Sequence, residues 1–258
     1  MTVGKQIIDR RLCKTMIDSL MLSVARIATI AGTQVLTNAS GFFFARDERL
    51  FLVTSRHVLI DEPTGHHPDS LEIEVHTDST NMASSTGFSI PLYRNGGSLW
   101  RQGLDSAGEI DVAAIEIERP ALPTAIAYHA FRPEHLVQPQ EHIEIGAQLL
   151  VVGFPLGFHD SLHHMPVVRH AILASSFGLR FQGLGYFLTD ARTHRGTSGS
   201  PVVMRTSNPA TGQQSLPWRL LGIHSSRVDL GSRDLLLDEA LGLNCTWYAD
   251  ILMTLTEH

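Results

Sequence analysis

Between Lys5 and Leu22 the apolar residues Ile7, Ile8, Leu12, Met16, Ile17, Leu20 and Met21 recur at steps of three and four, which predicts an amphipathic helix. From residue 23 the period shortens to two and to brief apolar runs. Strands are expected over 23–28, 34–45 and 50–55, with Asp47-Glu48 turning the chain between the second and third. Further strand-like runs cover 71–76, 88–93, 111–118 and 125–128. Residues 132–147 hold two prolines and few apolar side chains, and read as a linker. A second group of strands is expected at 148–154, 167–175, 186–190, 199–204, 220–224 and 241–247, before a short helix at about 248–255. Short strands in two groups, each too extensive for a lone hairpin, predict an all-β sandwich or barrel architecture. The expected organisation is an N-terminal helical extension (1–22), a first β-unit (23–131), the linker (132–147) and a second β-unit with a terminal helix (148–258).

Composition narrows the function classes. With 258 residues, 43% of them hydrophobic, the chain can fill a substantial core, so disorder is not its main state. Twenty basic against 26 acidic side chains give a net charge of −6 without a basic block, which argues against a nucleic-acid partner. Only 18% of residues are charged while Gly and Pro number 21 and 12, a balance suited to strands and tight turns. Asp18 and Arg26 divide the apolar N-terminal stretch, so no run approaches the roughly 18 residues of a spanning helix, and no membrane partner is expected. Residues 1–32 lack the order of a secretory signal, and a cytoplasmic location is the expectation. In that setting Cys13 and Cys245 read as small buried hydrophobes rather than a disulfide pair.

Candidate chemistry begins at Gly196-Thr197-Ser198-Gly199-Ser200-Pro201, just ahead of the apolar run Val202-Val203-Met204. A serine attacking a carbonyl needs two N–H groups aimed at the oxygen that becomes negative, and flanking glycines let the main chain come close. Ser198 is therefore a candidate nucleophile, with the amides of Gly196 and Ser198 as the oxyanion hole. Alone, the sextet is also compatible with an ordinary turn. Upstream, an apolar strand ends near His57, and Asp111 opens another strand. A neutral imidazole can take the serine proton, and a carboxylate can hold its tautomer and stabilise the imidazolium. Among 14 histidines, His57 on its own could equally be structural, and Asp111 a strand-start residue.

Taken together these segments resemble the trypsin-like (chymotrypsin-fold) serine peptidases, especially the bacterial branch that includes Deg-type proteases and glutamyl endopeptidases. The matching segments, in order, are Ser40-Gly41-Phe42, residues 54–58 around His57, 111–115 from Asp111, 152–157, 196–201 and Gly222-Ile223-His224-Ser225. The resemblance implies two antiparallel six-stranded β-barrels with His57 and Asp111 from the first, Ser198 from the second and the site between them. It implies an endopeptidase working through an acyl-enzyme on a protein or peptide substrate, with no cofactor and no metal. The mechanism is the one worked out on a well-known member of that family and is carried over by resemblance. Ser225 falls where the family places a serine supporting the buried aspartate, and the backbone of Ser225, Ser226 and Arg227 would pair with substrate as an added strand. Arg192 and Thr193 would line the primary specificity pocket opposite His224. Thr193 and His224 match the pair with which glutamyl endopeptidases hold a substrate carboxylate. The resemblance leaves open cleavage after an acidic residue or after a small or apolar one.

Two departures bear on regulation. Val58 stands where secreted digestive members have a cysteine, and Thr197 where zymogen-type members carry an aspartate, so their activation switch cannot be transferred. A protease without that switch endangers its own cell. A regulatory protein partner, or a latent domain that binds peptides without cutting them, is the alternative expectation. His66-His67 and His163-His164 lack a ligand spacing with an acid or cysteine and read as loop residues, as does the cluster Asp234, Asp238, Glu239.

Overall fold

A computed structural model describes residues 17–206, 216–228 and 241–257. Nine strands make up the first half: β1 (Val24–Ala31), β2 (Gln34–Arg46), β3 (Arg49–Thr54), β4 (Ser70–His76), β5 (Ser85–Pro91), β6 (Tyr93–Arg94), β7 (Gly97–Ser98), β8 (Trp100–Asp105) and β9 (Gly108–Ile117). The second half contains β10 (Gln148–Gly153), β11 (Val167–Leu173), β12 (Tyr186–Ala191), β13 (Pro201–Arg205), β14 (Trp218–Arg227) and β15 (Leu243–Tyr248). Two short helices complete the frame, α1 (Arg56–Leu59) directly after β3 and α2 (Ile251–Leu255) after β15.

The second half is a closed six-stranded antiparallel barrel in the order β10-β11-β12-β15-β14-β13. In the first half seven strands pair in one antiparallel sheet, β5-β4-β1-β2-β3-β9-β8, beside the small β6-β7 hairpin. The expected six-stranded first barrel is thus a large seven-stranded sheet. Its unforeseen member is β8, an edge strand reading Trp-Arg-Gln-Gly-Leu-Asp that packs Trp100 against the first sheet's core but otherwise buries only Gly103.

Burial explains why the central strands are so apolar. In β2, Phe42 and Phe44 face the core shared by the two halves, whereas Phe43 and Ala45 face the interior of the first sheet. β3 divides in the same way, with Phe51 and Val53 on one side and Leu50 and Leu52 on the other. From the second half Val152, Phe154, Leu220 and Ile223 complete the shared core, and Leu252 and Leu255 of α2 close it. Each fully buried side chain of this size contributes roughly 1.5–3 kcal/mol, so a common core fastens the two halves.

Three expectations need correction. The helix expected up to residue 22 lies largely outside the described residues, and its described end is a single 3-10 turn, Met21–Ser23, with Leu20 buried in the shared core. Residues 125–128 make only an isolated bridge, Ala127 to His76, because Pro120 and Pro123 interrupt the ladder just before it. The segment from 132 contributes a 3-10 turn, Pro133–His135, and beside it Leu136 bridges to Leu220 and Phe131 packs edge-on against Phe42.

Candidate active site

The apolar run of β3 stops at Thr54, and the buried Ser55 holds extended backbone before the chain coils into α1. His57 therefore sits on a helical turn anchored by buried Val58 and Leu59, not at a strand end. Asp111 lies within β9, next to Ile110 and Val112, which both point into the shared core. Asp111 grips the histidine twice: Oδ1 accepts the His57 backbone N–H at 2.8 Å, and Oδ2 lies 2.7 Å from Nδ1. An ionised carboxylate only accepts hydrogen bonds, so Nδ1 carries the ring proton and Nε2 presents its lone pair. Burial of the ring disfavours its charged form, but the hydrogen bond to Asp111, the charge of Asp111 and that of Asp61 outweigh it. The His57 pKa is consequently raised above 6.5.

Ser198 lies in the turn that leads into β13. Gly196 and Gly199 adopt φ values of 90° and 84°, a region that disfavours side chains. At Gly199 a Cβ would also lie within 3.0 Å of the Ser40 carbonyl oxygen and Thr54 Oγ1. The Ser198 hydroxyl donates to the Ser225 carbonyl at 3.0 Å, and among the described residues no hydrogen bond joins it to His57. Ser225 occupies a bulge of β14, between His224 and Ser226, and its own hydroxyl donates to Asp111 Oδ2 at 2.5 Å. One residue thus touches both the carboxylate and the serine.

Nearby amides are oriented by their neighbours. The Arg195 carbonyl accepts the Leu156 N–H at 2.6 Å. Among the described residues no peptide bond is cis, so the Gly196 N–H points the opposite way. Among the described residues neither the Gly196 N–H nor the Ser198 N–H has an acceptor in the protein.

The residues assigned to the specificity pocket are split by burial. Arg192 is exposed, whereas Thr193 and His224 are buried, at 4% and 2% exposure. Thr193 Oγ1 donates to Asn244 Oδ1 at 2.5 Å, and the Asn244 amide donates to the carbonyls of Thr189, Ala191 and Gly242. His224 Nδ1 is buried without a partner. Burial, reinforced by the His57 charge and opposed by Asp111, depresses the His224 pKa to about 4, so the ring is neutral near pH 7. Ser226 is exposed and Arg227 half-buried. The β13–β14 ladder ends at Pro201 opposite Ile223, so Ser225–Arg227 of β14 run on beyond it.

Other singled-out residues stand apart. His66 Nε2 meets the Val58 carbonyl, His163 pairs with Asp160, and His164 stacks on His159. Cys245 is a half-buried free thiol, while Cys13 and the cluster Asp234, Asp238, Glu239 lie outside the described residues. Sequence reasoning missed Asn244, which braces Thr193, and the functional meaning of Ser40, whose segment it had marked. A buried-type strand interrupted by an asparagine was the available signal for the first.

Residues 39–209 match the family described as trypsin-like peptidase domain, more than half of the 258-residue chain, and this stretch includes His57, Asp111 and Ser198. The chain belongs to the trypsin-like peptidase family. Its β14 edge, from His224 to Arg227, lies beyond the matched stretch. No curated protein matches the chain. Among solved structures it is similar to the serine endoprotease from Yersinia pestis, with a TM-score of 0.51 and 15% identity. That likeness covers 92% of this chain but 62% of the Yersinia protein, so the chain spans less than two thirds of its length. At this identity the likeness carries the fold of this trypsin-like peptidase domain.

Proposed function

We propose that this protein is a serine endopeptidase in which Ser198 is the nucleophile, His57 the general base and then acid, and Asp111 the group that orients His57. The observation that carries this reading is the double grip of Asp111 on His57, with Ser225 joining Asp111 to Ser198. For attack, the Ser198 hydroxyl turns from the Ser225 carbonyl toward His57 Nε2, which takes its proton as Oγ bonds the substrate carbonyl carbon. Negative charge on the carbonyl oxygen is met by the free N–H groups of Gly196 and Ser198. The C–N bond then breaks, and His57 returns the proton to the departing amine. Water, deprotonated by the same imidazole, hydrolyses the acyl-enzyme and restores Ser198. Substrate main chain pairs with β14 at Ser225, Ser226 and Arg227, beyond the end of its ladder with β13.

The preferred residue before the cut is acidic. Support comes from His224 Nδ1, a buried polar atom without a partner that a substrate carboxylate would satisfy, whereas the Thr193 hydroxyl already donates to Asn244 and would have to turn to join it. Arg192, which the family resemblance assigns to the pocket, is exposed and would add positive potential there. The hydrogen bond from Ser198 to Ser225 favours a second reading, a latent domain that grips peptides and is switched on by a partner.

A fluorophosphonate probe with adduct mapping tests the first reading. Adduct confined to Ser198, absent in Ser198→Ala, is the expected result, and peptides with Glu or Asp before the cut should then outpace those with Ala or Leu. Loss of the serine should lower turnover on the order of a million-fold, as in comparable triads. A protein that is never modified would refute a preformed site in favour of the latent reading.

A further inference from the structure

The geometry points to Ser40 as a positioning residue for the oxyanion hole: its buried hydroxyl ties the turn carrying Ser198 to the loop that follows β10. This rests on the peptidase reading above, since it assigns a task within that same site. Ser40 belongs to β2 in the first sheet, and both segments it ties belong to the second half. It is fully buried, and every polar atom it has is used. Its Oγ donates to the Gly196 carbonyl at 2.7 Å and accepts the Phe154 N–H at 2.9 Å. Its backbone N–H donates to the Ser198 carbonyl at 3.0 Å, and its carbonyl accepts Thr54 Oγ1 at 2.8 Å.

The consequence follows from the order of peptide planes. Ser40 anchors the carbonyls of the 196–197 and 198–199 peptides, so the intervening 197–198 plane, which carries the Ser198 N–H, cannot turn without displacing both. The 195–196 plane, which carries the Gly196 N–H, is held through the Leu156 N–H on the Arg195 carbonyl. Leu156 in turn stands two residues beyond Phe154, the amide that Ser40 Oγ accepts. A single residue, through its hydroxyl and its backbone N–H, therefore restrains both N–H groups that would receive the oxyanion, from outside the half of the molecule that carries them. Preorganised donors stabilise developing charge without reorganising during the reaction, so this restraint acts on the transition state more than on substrate binding.

The test compares the full chain with Ser40→Ala and Thr54→Val, the latter removing a buried hydrogen bond of the same cluster while leaving the hydrogen bonds from Ser40 to the two loops in place. Amide hydrogen exchange at Leu156 reads whether the loops stay paired, and fluorophosphonate labelling with p-nitrophenyl acetate turnover reads the site. In Ser40→Ala the Leu156 amide should exchange at least about tenfold faster. Labelling and kcat should fall about ten- to a hundred-fold with KM unchanged, the scale expected for a misplaced oxyanion hole. Thr54→Val should lose thermal stability without either change. Unaltered Leu156 exchange in Ser40→Ala, or equal losses in both variants, would overturn the assignment. Should Ser40→Ala not fold, Ser40→Cys keeps a weak donor there, and full Leu156 protection in that variant would equally overturn it. An unlabelled wild type would instead sink the peptidase reading, while Leu156 exchange still decides the role of Ser40.

Discussion

Ser225 Oγ lies 2.5 Å from Asp111 Oδ2, the same oxygen that stands 2.7 Å from His57 Nδ1. Two donors on one carboxylate oxygen stabilise its negative charge and divide its attraction for the imidazole. In Ser225→Ala the carboxylate loses one donor and binds the histidine proton more strongly, so the pKa governing kcat/KM should move upward. A hydrogen bond to a charged group is worth about 1.5–3 kcal/mol, which sets a fall in kcat of about ten- to a hundred-fold. A pH–rate profile of wild type and variant checks both effects, and an unmoved profile would mean that Ser225 serves only the fold.

Two histidines bias the molecule in opposite directions as pH changes. The folded pKa of His57 is raised, so its charged pairing with Asp111 stabilises the fold fully below about 6.5, and that increment is lost as pH rises through the folded value. The proposed mechanism needs the neutral ring, so activity should climb over the same rise in pH.

His224 has the reverse sign, its folded pKa of about 4 lying below the usual 6.5. Stability tied to its neutral form is complete above 6.5 and is lost as pH falls toward 4, a total of about 3 kcal/mol. Urea midpoints measured from pH 7.5 to 4 should drop across that window. In His224→Val the drop should shrink, and the proposed preference for an acidic residue before the cut should be absent. An unchanged acid slope would show that the step belongs to other groups.

Much of the scaffold was legible because burial and sequence pattern agree in its centre. Phe42–Phe44 and Leu50–Val53 are apolar at every position since both faces of β2 and β3 are covered, so those strands announced themselves. β8 did not, because an edge strand satisfied by one neighbour can interrupt its apolar residues, here Trp100 and Leu104, with charged and polar ones. His57, Asp111 and Ser198 were legible through their segments, but the one-turn helix under His57 was not, being too short to have a period. Ser40 and Asn244 act through hydrogen bonds to residues more than 50 positions away, and no local pattern records such a partner.

The turn at Gly199 gives the most severe single prediction. Its φ of 84° already disfavours any side chain, and a Cβ would meet the Ser40 carbonyl oxygen, a backbone atom that cannot step aside. Relief would require separating β2 from the turn, which breaks the hydrogen bond from the Ser40 N–H to the Ser198 carbonyl and uncovers the 2.8 Å bond from the Gly199 N–H to the His224 carbonyl. Gly199→Ala should therefore cost at least about 3 kcal/mol, combining left-handed strain with lost buried hydrogen bonds. Fluorophosphonate labelling of whatever folded protein remains should fall together with the thermal midpoint. A variant that melts like wild type and labels at the same rate would mean that β2 and the nucleophile turn are not in the close contact on which the whole site is built.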